Sequence, residues 1–191
     1  MISVEPIEFW EFFDLYTLGI LFIIVGSLVV THYRKNGSLL STISETVAHS
    51  HHSSLIFSVV MMICFPLYYA FIWFWVAPLT QMPVSFYYLL TISALFEVIF
   101  VWVPATDGRS RKIHQIMSSL VGVAMLAAPL FILLYGTGLS TVSRISILVF
   151  TAMAVILVGL LLIKSTRKYT FLYETIYCAA FLATISVIAH S

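Results

Sequence analysis

The residues of this chain that could do chemistry crowd around three of its loops. In Glu45-Thr46-Val47-Ala48-His49-Ser50-His51-His52, the residues Glu45, His49 and His52 stand four and three positions apart. On a helix that spacing puts all three on one face. One carboxylate and two imidazoles so placed can ligate a single metal ion, and zinc or iron suits such a donor set. His32 lies at the inner end of one apolar stretch, His114 opens another, and Asp107 precedes it. Glu174 falls about five residues into the last apolar stretch, roughly 7–8 Å deep. Glu97 falls about seven residues from the end of the third, roughly 10 Å deep.

A carboxylate on a membrane helix costs on the order of 2.5–3.5 kcal/mol at the bilayer centre. Glu97 and Glu174 are therefore expected to face the interior of a bundle, each with a partner or a proton. Arg109, Arg111, Lys112 and His114 are the partners expected within reach. As chemistry, Glu45, His49, His52 or His114 would be metal ligands, and Glu97 or Glu174 a general base. Arg109, Arg111 and Lys112 would meet anionic lipid headgroups. Plainer readings stand beside these. The histidines suit a polar loop, Glu97 an interhelical hydrogen bond, Glu174 a pairing with Arg167 or Lys168, and Asp107-Gly108 a turn.

The elements that must position these residues are membrane helices. Of 191 residues, 61% are hydrophobic and 9% charged, with a mean hydropathy of +1.07. Soluble domains carry about a quarter charged residues, so lipid is the expected solvent. Six apolar spans are expected at 15–33, 55–77, 84–103, 113–135, 145–163 and 169–189. Backbone groups in lipid must be satisfied internally, which makes the spans helices and the fold an all-α bundle of six transmembrane helices in one domain. Ala77 to Pro83 is expected as a tight turn, and Gly136-Thr137-Gly138 as the end of the fourth span. Ser3 to Phe13 suits a short interfacial helix. Cys64 and Cys178 fall in apolar spans and are expected as small buried residues.

Eight of the nine Lys and Arg residues fall in the loops after spans one, three and five, with Arg144 the exception. Those loops are expected to be cytoplasmic, and both termini outside. Trp10, Trp73, Trp75, Phe86, Tyr87, Tyr88 and Tyr135 are the expected outer aromatic belt, and Tyr33, Trp102 and Tyr169 the inner one. The acidic N-terminus, with Glu5, Glu8, Glu11 and Asp14, is unlike a cleaved signal peptide. A plasma-membrane or endomembrane location is expected.

Several short motifs in order carry a resemblance. They are Ile43-Ser44-Glu45-Thr46 followed by Phe57, Asp107-Gly108 with His114, and Leu172-Tyr173-Glu174-Thr175. In this order the chain resembles the FRAG/DRAM/Sfk-type six-span integral membrane proteins and related prokaryotic families. Their eukaryotic members include autophagy modulators and a factor that remodels the lipid of GPI anchors. The resemblance implies roles for Ser44, Glu45, His114 and Glu174. Val47 and Thr175 stand where members commonly carry Gly and Trp. The family's first loop is usually placed on the lumenal or outer side, opposite to the side the charges indicate here.

Three functions fit these residues. The first is a lipid-handling protein that binds or remodels lipid through an acid and histidine pocket on the cytoplasmic side. The second is a non-catalytic partner subunit or assembly factor, with an exposed patch such as 124–128 as its docking surface. The third is a channel or transporter using Glu97. Membrane lipids, and for the second reading a membrane protein, are the expected partners; nucleic acid is not.

Overall fold

The computed structural model describes residues 51–103 and 108–190. The expected interfacial helix, the span at 15–33 and the loop residues Glu45 and His49 lie outside these residues. Helix α1 (His51–Phe71) runs through a π-helical turn (Ile72–Val76) into a short α2 (Ala77–Leu79). Helices α3 (Val84–Trp102), α4 (Gly108–Tyr135) and α5 (Thr141–Leu162) follow, and a 3-10 turn (Arg167–Tyr169) leads into α6 (Thr170–Ala189). No strand occurs among the described residues. Among the described residues, five helical stretches are long and apolar enough to cross a membrane. They mark the chain as a membrane-embedded helical protein.

The inward face of each helix follows the 3- and 4-residue spacing of packed helices. On α1 it is Phe57, Met61, Cys64, Tyr68 and Phe71. On α3 it is Phe86, Leu90, Ser93, Glu97 and Val101. On α5 it is Ser143, Ile147, Phe150, Ala154 and Leu157. The opposite faces expose large apolar side chains such as Leu95, Val123, Val149 and Val155, as a lipid-facing surface requires. Helices α3 and α4 form the most extensive pairing, followed by α5 and α6; α1 packs on α3, and α6 reaches both α4 and the π turn.

The main core lies toward the loops that lack basic residues. It joins Phe71, Ile72, Val76, Phe86, Ile132, Ile147, Phe150, Ile185 and Ile188. The π turn widens the helix, so residues five apart share one face. Thus Phe71 and Val76, and Ile72 and Ala77, all turn inward. Its two tryptophans tie neighbouring elements: Trp73 meets Tyr87 edge-on at 4.8 Å, and Trp75 Nε1 donates to the Ala189 carbonyl at the end of α6 at 3.4 Å. A smaller cluster of Phe57, Met61, Cys64 and Val101 fills the basic end.

Several expectations are corrected. The turn after the first described span is Thr80 to Pro83, because Ala77–Leu79 continue the helix past the π turn, with Pro78 near its end. Helix α4 starts at Gly108 and α5 at Thr141, each ahead of the expected span. Ser140 caps α5, its hydroxyl accepting from the Ser143 amide. Phe86 is fully buried and so is no part of an aromatic belt, whereas Tyr88, Tyr135 and Trp102 are exposed as a belt requires. Ala124 and Ala128 are buried within the bundle, so they are not an exposed docking patch.

Candidate functional site

Glu97 takes a core position in the inward stripe of α3, where spacing alone would call for an apolar side chain. It is 6% exposed. Ser93 lies one turn away on the same stripe, and across the interface the Tyr69 hydroxyl of α1 bonds to Ser93 Oγ at 2.6 Å. Glu97 lies within electrostatic reach of the same hydroxyl. Tyr69 thereby links α1 to α3 through a hydroxyl pair that lipid would not solvate.

The expected partners of Glu97 are placed otherwise. Arg109, Arg111 and Lys112 are exposed at the start of α4. His114 is 6% exposed, and its Nδ1 bonds to the Val103 carbonyl at 2.6 Å. Since a carbonyl only accepts, Nδ1 carries the hydrogen, and Nε2 is the nitrogen with the lone pair in the neutral ring. The ring also lies against Phe100 at 4.5 Å between centroids. His114 therefore fastens the start of α4 to the end of α3, where Val103 caps the helix.

Glu174 stands on α6 one turn before Cys178, and it is only partly buried. Cys178 is within electrostatic reach of both Glu174 and Glu97. Beside it, the Tyr177 hydroxyl donates to the Gly122 carbonyl of α4 at 2.6 Å. Further interhelical ties run from Ser58 Oγ to the Val101 carbonyl at 3.1 Å and from Ser146 Oγ to Thr184 Oγ1 at 3.4 Å.

No group of three or more His, Cys, Asp or Glu residues poised to hold a metal ion occurs among the described residues. Of the expected ligands Glu45, His49 and His52, only His52 falls within a described element, in the first turn of α1. Tyr69, Ser93 and Tyr177 were not singled out by sequence reasoning, and Cys178 was expected only as a small buried residue. A hydroxyl in a wholly apolar stretch was the available signal, since such a group in lipid must find a partner.

Comparison with protein-family models, with curated proteins and with solved structures finds no match for this chain. The functional reading therefore rests on the geometry of the chain itself.

Proposed function

We infer that this membrane-embedded protein handles lipid, holding the polar part of a lipid at its basic end. The observation that carries this reading is an adjacency. The exposed cations Arg109, Arg111 and Lys112 directly precede the buried His114, which is fastened to the end of the helix carrying buried Glu97. Cations outside attract the phosphate of a headgroup. An imidazole near the headgroup layer and acids up to about 10 Å below it offer hydrogen-bonding groups to the polar part of a lipid. The reading covers binding or remodelling. A metal-dependent form would draw its ligands from Glu45, His49, His52 or His114. The basic loops face the cytoplasm in this account.

The test is the lipid that stays with the protein. Extraction in mild detergent, followed by lipid quantitation per polypeptide, should show one phospholipid class enriched several-fold over the source membrane. A retained pool matching bulk membrane composition would contradict the reading.

A second reading has its own support. Tyr69 with Ser93, Tyr177 with Gly122, Ser58 with Val101 and His114 with Val103 each satisfy a polar group on a neighbouring helix. Dispersed, singly satisfied polar ties suit a non-catalytic subunit or assembly factor. Bulk-like retained lipid, together with a stoichiometric co-purifying membrane protein, would favour it.

A further inference from the structure

The outer face of α4 carries a shallow, open groove lined, among the described residues, by Lys112, Gln115, Ile116, Ser119 and Leu120. These positions recur at intervals of three and four, so they form one continuous strip along the helix. Exposed Arg109 extends the strip one turn toward the basic end.

The order of chemistry along the strip matches a phospholipid read from head to tail. Helix α4 has 28 residues, about 42 Å of helix against ~30 Å of hydrocarbon. With exposed Tyr135 at the outer interface, roughly the first eight residues stand in the headgroup layer. Arg109 and Lys112 then lie at phosphate level. Gln115 lies about 4.5 Å deeper, where its amide can donate to an ester carbonyl. Below it the strip is apolar in effect. Ile116 is exposed, and the Ser119 hydroxyl is turned back onto the Gln115 carbonyl at 2.8 Å, which removes it as a polar feature of the surface.

We propose that this groove on α4 is a binding site for one anionic phospholipid, with its phosphate at Arg109 and Lys112, its ester region at Gln115 and an acyl chain along Ile116 and Leu120. The proposal rests on the lipid-handling reading and adds the class of lipid and its place. Lys112 in the groove and Arg109 one turn beyond it, with no acid among the described lining residues, favour an anionic head over a zwitterionic one. The strip of apolar side chains below distinguishes a lipid from a free phosphate.

The experiment is native mass spectrometry of the full chain in mild detergent, titrated with phosphatidylglycerol and phosphatidylcholine of identical acyl chains. The wild type should take one phosphatidylglycerol several-fold more tightly than phosphatidylcholine. Lys112→Ala should weaken that binding roughly fivefold, the effect of one cation near the surface, and Lys112→Arg should retain it. Gln115→Leu should weaken both lipids while leaving the charge preference intact. Inorganic phosphate should displace neither. Binding sensitive to Lys112→Ala yet indifferent to Gln115→Leu would overturn the groove in favour of diffuse attraction to a basic surface. Selective lipid retention that neither variant alters would overturn the groove and leave the lipid-handling reading standing. An absence of any lipid preference would overturn both.

Discussion

The hydroxyls of Tyr69 and Ser93 lie 2.6 Å apart between α1 and α3, and Glu97 stands one turn beyond Ser93 on the same buried stripe. A lone serine or glutamate on an apolar helix has no water to turn to. Tyr69 supplies a phenol that bonds to Ser93 on the stripe that carries Glu97. This pair therefore sets which face of α3 meets α1, a choice that apolar side chains alone leave open in lipid.

The first prediction concerns that pair. A double-mutant cycle of Tyr69→Phe and Ser93→Ala, read by thermal unfolding in detergent, should give a coupling of roughly 0.6–1.7 kcal/mol, the range for hydrogen bonds between membrane helices. Additive single effects would mean that the two hydroxyls do not bond.

His114 supports a second. His114→Phe keeps an aromatic ring against Phe100 but removes the donor to the Val103 carbonyl. A loss of about 1–3 kcal/mol is expected, because the carbonyl that caps α3 loses its partner. Hydrogen exchange should quicken at the end of α3, where the Val103 amide bonds to the Ile99 carbonyl. Unchanged exchange there would show that the imidazole does not hold this junction.

A third prediction contrasts two glycines. A Cβ at Gly136 would overlap the Ile132 carbonyl and crowd Met82 at 3.1 Å and Leu139 at 3.3 Å. The adjoining Thr137 amide bonds to the Thr80 carbonyl at 3.0 Å, clasping two loops together. Gly136→Ala should therefore cost about 1–3 kcal/mol. At Gly159, within α5, an added Cβ meets nothing within 4 Å. Gly159→Ala should be neutral or stabilising by up to about 1 kcal/mol, from helix propensity. Equal effects on the unfolding temperature would contradict the packing at Gly136.

The spans were legible in sequence and the inward faces much less so. Hydropathy located the apolar core of all five described spans but placed the start of α4 at 113, whereas the helix begins at Gly108. Hydropathy marks the edge of lipid, and Arg109, Arg111 and Lys112 continue the helix into the headgroup layer beyond it. Facing is obscured because these helices are apolar all round, so no moment separates lipid from core. The residues that betray the face are the few polar ones, Ser93, Glu97, His114, Ser143 and Thr184, all buried. Glu97 was expected inside for that reason. Its neighbour Tyr69 was missed because charge pairing drew attention to Arg109, Arg111 and Lys112, while a tyrosine in an apolar span looks like core.

Orientation supplies the fourth prediction. Single cysteines at Arg111 and Thr137, introduced after Cys64→Ser and Cys178→Ser, should react from opposite sides of the membrane. Position 111 should be shielded from an impermeant maleimide in intact cells, and position 137 labelled, since basic loops stay inside. The reverse pattern would invert the topology.

The lipid site on α4 is tested most directly by cross-linking with a phosphatidylglycerol that carries a diazirine near the ester end of one acyl chain. Peptide mapping of the full-length protein in vesicles should place the adducts on Gln115, Ile116 and Ser119. Adducts spread evenly over the lipid-facing sides of α3, α4 and α5 would contradict a defined lipid site on this protein.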